Sequence, residues 1–221
     1  MLIGVLDSGI GGWTTLQEII RVRGGGDYLY LADTAHCPYG NKSAEEVTQI
    51  VRAAAMRLMA EGAEAIVLAC NTATACAIDE LRREFEEIIF VGTEPCINIA
   101  KTYGNNLCVL ATPLTLSSPR FARLIQGVNC TLPDCSDLAR EIELSYPHLA
   151  PAYKLLDKIL SPYRSRAFDA CVLGCTHYCL VKKQVRALLR CPVLDGNNGV
   201  ARRLRRLCGA ANTPARVREI I

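Results

Sequence analysis

Two cysteines stand out because each one follows a short apolar run and precedes a more polar segment. Cys70 follows the run at 65–69, and Cys175 follows the run at 170–174. A thiol between a strand and a helix lies near the positive end of the helix dipole, which lowers its pKa below about 8.5 and favours the thiolate. The pattern therefore predicts two reactive thiols. A buried structural cysteine beside an ordinary helix start is the simpler interpretation of either one alone.

Polar side chains follow both cysteines. Asn71 and Thr72, with the backbone N–H groups beside them, can hold a carboxylate. After Cys175 come Thr176 and His177. The His177 imidazole can act as a base toward a thiol if a carboxylate orients it. A lone histidine is more often structural, but this one comes with a matching cysteine. Two glutamates of one segment are the candidates for the orienting carboxylate: Glu141 and Glu143.

The segment DSGIGG (7–12) ends the first apolar run. It does not fit a dinucleotide-binding loop, because the third glycine of that motif would fall at Thr14 and Asp7 would repel a pyrophosphate. An acid beside a hydroxyl, Asp7 beside Ser8, suits an ammonium group or a proton relay to a nearby thiol. Either residue could instead be a simple helix cap.

The loop at 38–43 precedes a predicted helix. Pro38 and Gly40 favour a turn, and Tyr39 adds a phenol to its backbone amides, so the loop could contact an anionic ligand. A plain turn is an equally good interpretation. The helix begins with a capping box, Ser43 and Glu46, and extends over residues 44–60.

Short apolar runs alternate with helical patterns along the chain, which favours a parallel α/β architecture. Gly62 marks the end of the clearest helix. The predicted strands are Leu2–Leu6, Asp27–Ala32, Ala65–Ala69, Ile88–Gly92, Leu107–Ala111, Ala170–Gly174 and Pro192–Leu194.

The chain resembles itself at a shift of 104 to 105 residues. Residues 5–9 resemble 109–113, and the run ending in Cys70 resembles the run ending in Cys175. This indicates two similar α/β lobes, which we place at 1–97 plus 195–221 and at 98–194. Parallel sheets bind ligands outside the carboxyl ends of their strands. We therefore expect the two thiols on opposite walls of one cleft.

Two such thiols suit a reaction that is symmetric about one carbon. In racemisation a thiolate removes a proton from one face, and the opposite thiol delivers a proton to the other face, so the two titrations are coupled. Amides, hydroxyls and desolvation must then stabilise the carbanion.

Composition excludes several other classes of protein. The chain has 221 residues, 50% of them hydrophobic, with a net charge of +3, so it is neither disordered nor strongly drawn to nucleic acid. The arginines of the run at 202–206 are interpreted as a solvated helix surface. No apolar run reaches the ~20 residues of a membrane span, and MLIGVLDSGIGG does not look like a signal peptide. A cytoplasmic location is therefore expected.

The 12 cysteines are expected to be free thiols in a reducing compartment. No C-x-x-C pair occurs in the sequence. The spacing of Cys171, Cys175 and Cys179 suits one helix face, but their segment is predicted to be a strand, so a zinc site there is disfavoured.

Together these motifs strongly resemble the cofactor-independent glutamate racemases. The motifs are DSGIGG (7–12), ADTAHCPYGNKS (32–43), ACNTATA (69–75), ATPLTL (111–116), GCTHY (174–178) and LDGNNGVARRL (194–204). Pairing of CNT with CTH is specific for the wider amino-acid racemase superfamily, and DSG-x-GG with PYG-x-KS narrows it to the glutamate branch.

The resemblance implies conversion of L-glutamate to D-glutamate in a buried cleft, supply of D-glutamate for peptidoglycan, no cofactor, no metal and a homodimer. Cys70 and Cys175 would be the acid/base cysteines, assisted by Asp7 and His177 respectively, with Glu143 supporting the histidine and Glu141 as the fallback. The implied substrate contacts are Asp7, Ser8, Pro38, Tyr39, Gly40, Asn71, Thr72, Thr176 and His177.

The chain departs from the usual family pattern at Asn41, at Cys179 and in GTEPCINIA (92–100), and it is somewhat short. None of these departures replaces a proposed acid or base. Two other hypotheses stay open: a related racemase acting on aspartate or a hydantoin, and a non-catalytic α/β binding module whose cysteines are structural or metal-binding.

Overall fold

The computed structural model of the protein describes residues 1–220. The elements up to residue 92 are β1 (Leu2–Asp7), α1 (Gly12–Arg23), β2 (Asp27–Ala32), α2 (Ala44–Ala60), β3 (Ala65–Leu68), α3 (Asn71–Glu84) and β4 (Ile89–Gly92). They are followed by α4 (Ile97–Ala100), β5 (Asn106–Ala111), α5 (Pro113–Leu116), α6 (Pro119–Leu124), β6 (Asn129–Thr131), α7 (Leu138–Ser145), α8 (Ala150–Leu160), β7 (Ala170–Gly174), α9 (Lys182–Leu189), β8 (Val193–Asp195), α10 (Asn197–Cys208) and β9 (Arg216–Ile220). Short 3-10 turns cover Thr34–His36, Tyr39–Asn41, Ser161–Tyr163 and His177–Val181.

The strands form two separate parallel sheets, so the predicted α/β class is confirmed. One sheet has the order β4-β3-β1-β2-β9 and the other has the order β6-β5-β7-β8. When the second sheet is read in reverse, as β8-β7-β5-β6, its order matches β4-β3-β1-β2 of the first sheet. Strand β1 is then equivalent to β5, and β3 is equivalent to β7. The register agrees with the internal repeat, since Val5 is paired with Val67 and Val109 with Val172. The repeat in the sequence is therefore a repeat of topology.

Helices cover both faces of the larger sheet, which explains its continuous apolar strands. Ile3 and Val5 of β1 pack toward α1 and α10, whereas Leu6 packs toward α2 and α3. All three side chains are fully buried. Because parallel strands point the same way, this packing brings the carboxyl ends of β1 and β3 to one edge of the sheet.

The predicted helix over residues 44–60 is confirmed. The Ser43 hydroxyl accepts a hydrogen bond from the Glu46 N–H at 3.1 Å, and the Glu46 carboxylate pairs with Lys42. Gly62 follows the helix with a left-handed φ of 91°. Strands β6 and β9 were not predicted, because β6 has only three residues and β9 carries three charged residues that remain exposed at the sheet edge.

No helix within residues 1–220 is both long enough and apolar enough to cross a membrane. The arginines of the run at 202–206 are exposed on α10, while Leu204 between them is buried. The division of the chain near residues 98 and 195 stays a prediction.

Candidate active site

The two cysteines lie at equivalent positions in the two sheets. Cys70 follows β3 and precedes the first residue of α3, and Cys175 follows β7 directly. The two residues are only 5% and 7% exposed. A negative charge on Cys70 raises the pKa of Cys175, so the two thiols lie within electrostatic reach of each other.

The prediction that the helix start lowers the thiol pKa is wrong for both cysteines. Burial raises the pKa of Cys70 to about 12, and the charge of Asp7 adds to this, although the Ala73 N–H and the Ser8 hydroxyl oppose it. Burial also raises the pKa of Cys175 well above its usual value. The helix dipole is outweighed because desolvation penalises a buried anion more strongly. A thiolate here therefore requires a positive partner.

Asp7 is a completely buried carboxyl group at the end of β1. Its Oδ2 accepts hydrogen bonds from the N–H groups of Gly9 and Gly12, and its Oδ1 accepts one from the Thr176 hydroxyl at 3.1 Å. Burial raises its pKa to about 6, while the charge of His177 and these hydrogen bonds lower it. Only glycine fits at position 12, because a Cβ there would lie 2.4 Å from the Asp7 Cβ.

His177 connects Cys175 to a carboxylate. Its Nδ1 lies 3.8 Å from the Cys175 Sγ, and its Nε2 lies 2.7 Å from the Glu143 Oε2. Glu143 also accepts a hydrogen bond from the Ile10 N–H at 3.0 Å. Burial opposes ionisation of Glu143, but these bonds outweigh it and hold its pKa below the usual range. An ionised Glu143 only accepts hydrogen bonds, so His177 Nε2 carries the proton of this bond. In the neutral form of the ring, Nδ1 is then free to accept a proton from Cys175. Of the two candidate glutamates, Glu143 makes this contact.

Asn71 carries a buried acceptor that has no protein partner. The residue is 5% exposed, and its Oδ1 is the one buried side-chain oxygen or nitrogen in residues 1–220 without a hydrogen bond. Leaving such a group unpaired costs about 1–3 kcal/mol. A donor group of a ligand, such as an ammonium, would remove that cost.

Three threonines join the two sheets beside Cys70. The Thr72 hydroxyl lies 2.9 Å from the Thr112 hydroxyl and 3.1 Å from the Thr115 hydroxyl. Thr112 and Thr115 were not among the predicted site residues, although their motif was recognised. The repeat contained the missing signal, because the strand before Thr112 is equivalent to the strand that ends in Asp7.

The loop before α2 packs against the same threonines. A Cβ on Gly40 would lie 2.5 Å from the Thr112 Cβ, so this contact also requires glycine. The Tyr39 hydroxyl donates to Asp33 Oδ2 at 2.6 Å, so the phenol stabilises its own loop. Pro38 begins the turn and is partly exposed. Asn41, one of the departures from the family pattern, donates to the Ser136 carbonyl at 3.3 Å, in the segment before α7.

Cys37 lies near the outer nitrogen of His177, at 4.0 Å from its Nε2. The Cys37 Sγ, the His177 nitrogen and a Glu143 carboxylate oxygen all lie within 4.8 Å of one another. Among residues 1–220 these are the residues whose geometry could hold a metal ion.

Known proteins share this arrangement of sequence and fold. A profile of the Asp/Glu/hydantoin racemase family matches residues 14–204. The chain belongs to this family. Among curated relatives in the racemase family, the glutamate racemase of Roseiflexus sp. (strain RS-1) is 40% identical over 210 residues, which cover 91% of this chain and 77% of the relative. The glutamate racemase of Pseudomonas paraeruginosa is 39% identical over 213 residues, covering 93% and 80%.

Solved structures of racemase family members resemble the fold over its whole length. A glutamate racemase isoform from Bacillus anthracis has a TM-score of 0.86 and 28% identity, covering 99% of this chain and 87% of its own. The glutamate racemase from Francisella tularensis, solved in complex with D-glutamate, has a TM-score of 0.83 and 26% identity, covering 98% and 86%.

Proposed function

We propose that this racemase family member interconverts L- and D-glutamate by proton transfer between Cys70, Cys175 and the α-carbon. The observation that carries the proposal is the pair of buried thiols at equivalent strand ends, close enough for a charge on Cys70 to raise the pKa of Cys175. The family match and the glutamate racemases among its relatives support the substrate class.

In the proposed reaction one cysteine begins as thiolate and the other as thiol. The thiolate takes the α-proton, and the C–H electron pair stays on the substrate as a carbanion. The opposite thiol then protonates the other face and becomes the thiolate. Because both thiol pKa values are raised by burial, the substrate ammonium supplies the positive charge that favours one thiolate in the complex.

Each thiol has a proposed helper. Asp7 acts with Cys70, whose pKa responds to its charge. His177 acts with Cys175 through Nδ1, and Glu143 acts as a positioning residue that keeps the other ring nitrogen protonated. This division gives each wall of the cleft its own base.

Polar groups around the thiols are proposed to bind glutamate. The unpaired Asn71 oxygen and the Asp7 carboxylate suit the ammonium group. The Thr72 hydroxyl suits a carboxylate, whereas the hydroxyls of Ser8 and Thr176 would have to turn from Cys70 and Asp7 to donate to one. The loop at 38–40 is proposed to contribute backbone groups of Pro38, Tyr39 and Gly40, because the Tyr39 phenol is bonded to Asp33.

The cellular role follows from the activity. D-glutamate would be supplied to peptidoglycan synthesis in the cytoplasm, without a cofactor. We also propose a homodimer with lobes at 1–97 plus 195–221 and at 98–194. Light scattering of the purified protein tests the dimer.

Proton exchange in heavy water tests the proposed activity. Purified protein, free of pyridoxal phosphate, is incubated with L-glutamate in D₂O. We expect deuterium at Cα and loss of optical activity. Parallel reactions with L-aspartate and a hydantoin distinguish a related racemase from a glutamate racemase. No exchange with any substrate would favour the non-catalytic binding module instead.

A further inference from the structure

The proposed reaction gives no role to Cys37, although its thiol lies against the outer side of the His177 imidazole. Cys37 is in the loop before α2, and its Sγ lies 4.0 Å from His177 Nε2. Glu143 approaches the same nitrogen at 2.7 Å. His177 itself is only 1% exposed, whereas Cys37 and Glu143 are both partly exposed. A solvent ion can therefore reach the point where the three side chains meet.

The three ligand atoms have the chemistry and spacing of a zinc-type site. Sulfur, imidazole nitrogen and carboxylate oxygen are the usual protein ligands of Zn²⁺, at about 2.3, 2.0–2.1 and 2.0–2.2 Å respectively. A tetrahedral ion with those bond lengths separates its ligand atoms by about 3.4–3.6 Å. The observed Cys37–His177 distance of 4.0 Å and His177–Glu143 distance of 2.7 Å bracket this range. The Cys37 and Glu143 ligand atoms lie within 4.8 Å of each other. Shifts of up to about 1.2 Å would therefore fit an ion among the three side chains.

We propose that Cys37, Glu143 and His177 bind a thiophilic divalent cation such as Zn²⁺, with one open coordination position. A thiolate and a carboxylate neutralise the charge of the ion. Burial raises the pKa of the Cys37 thiol, and the charges of Glu143 and Asp7 raise it further. That negative environment disfavours a free thiolate but attracts a cation. Binding releases the Cys37 proton to solvent as the sulfur–metal bond forms.

A metal ion bound at this site would prevent His177 from acting as a base toward Cys175. The metal takes the lone pair of Nε2, so the single ring proton moves to Nδ1, the nitrogen that faces Cys175. Nδ1 then cannot accept a proton from Cys175. The ion also replaces the hydrogen bond between His177 and Glu143. This part of the inference rests on the proposed function, whereas metal binding itself does not.

Cobalt absorption tests binding without any assay of turnover. Co²⁺ replaces Zn²⁺ in tetrahedral sites, and its bond to a thiolate gives a charge-transfer band in the near ultraviolet. We expect the full-length protein to show this band with one equivalent of Co²⁺ and to lose it when Zn²⁺ is added. Loss of an outer-shell partner typically weakens metal affinity about 10- to 100-fold. Cys37→Ser removes a direct ligand, so its affinity for Co²⁺ should fall by more than that.

Two controls separate this site from other thiols. Cys130→Ser removes another partly exposed cysteine and should keep the band. Cys70→Ser removes one thiol of the proposed pair and should also keep it. Glu143→Gln provides a second ligand variant, with weakened binding expected. A band of unchanged affinity in Cys37→Ser, or no band in the unaltered protein, overturns the proposal.

Activity provides a separate readout. We expect Zn²⁺ to inhibit glutamate racemisation reversibly, with recovery on adding a chelator, and Cys37→Ser to resist inhibition while retaining its basal rate. If the cobalt band appears but no racemisation occurs under any condition, the metal site stands and the proposed function fails. If Zn²⁺ inhibits Cys37→Ser equally, the inhibitory role of this site is wrong.

Discussion

The Asp7 carboxylate accepts a hydrogen bond from the Thr176 hydroxyl at 3.1 Å, across the boundary between the two sheets. Asp7 ends β1 of one sheet, and Thr176 follows Cys175 beside the other. Both residues are almost fully buried. A carboxyl group of one lobe is thus held beside the cysteine of the other, and its charge raises the pKa of both Cys70 and Cys175. The two thiols therefore share one electrostatic environment.

Replacing either cysteine of the pair should abolish racemisation. Cys70→Ala or Cys175→Ala removes one of two proton carriers, and a positioned acid or base contributes about 10²–10⁴-fold to a rate. We expect at least that loss of kcat, measured by polarimetry with L- and D-glutamate. Cys130→Ala, which removes a thiol from edge strand β6, should keep normal activity. Normal turnover by either active-site variant would contradict the two-thiol mechanism.

Glu143→Gln should reduce activity by weakening the orientation of His177. A hydrogen bond to a charged group contributes about 1.5–3 kcal/mol, which corresponds to a loss of roughly 10- to 150-fold in kcat. The amide oxygen introduced by Glu143→Gln can still accept from Nε2 but carries no charge, so it holds the ring more weakly. Glu141→Gln is the matched control on the same helix and should behave like the unaltered protein. Equal losses in the two variants would mean a general effect on α7.

Asp7 should make folding stability depend on pH between about 4 and 6. Its folded pKa of about 6 lies above its ordinary value of 3.8, so the folded state binds more protons in this window. The contribution of Asp7 to the free energy of unfolding therefore falls by about 3 kcal/mol in total as the pH rises from about 4 to 6.

Urea unfolding at several pH values measures this effect against Asp7→Asn. We subtract the unfolding free energy of Asp7→Asn from that of the unaltered protein. This value should fall as the pH rises from about 4 to 6 and then level off. Asp137→Asn, at an exposed position, should show no such trend. A difference that stays constant across the window would show that Asp7 has an ordinary pKa.

Gly40→Ala should destabilise the protein, because the added Cβ would lie 2.5 Å from the Thr112 Cβ. Overpacking of this kind typically costs about 1–3 kcal/mol. The displaced loop should also raise KM for glutamate, as measured by initial rates. Gly199→Ala is the control, since a Cβ there meets nothing within 4 Å inside α10. It should be neutral or stabilising by up to about 1 kcal/mol. Loss of stability in both variants would contradict this explanation.

The elements with local signals were predicted well. The predicted bounds of two strands, Asp27–Ala32 and Ala170–Gly174, match the structure at both ends. The helix at 44–60 was predicted from its N-terminal cap and the spacing of its apolar residues. Strands β6 and β9 had no comparable signal, because exposed edge strands need no apolar pattern. The proposed site residues at strand ends stay predictions made from motifs. The contacts of Thr72 with Thr112 and Thr115 were not predicted, because these residues lie 40 or more positions away in the chain.

The sequence by itself determined the α/β class, the internal repeat, the two strand-end cysteines and the racemase family, because these depend on local patterns and on motifs. Only the tertiary structure decided the raised pKa values of the thiols, the contact of Glu143 rather than Glu141 with His177, and the approach of Cys37 to His177. Each of these depends on burial or on contacts between distant segments. Desolvation reversed the effect of the helix start on Cys70, and no local pattern in the sequence reports how much water a folded site excludes.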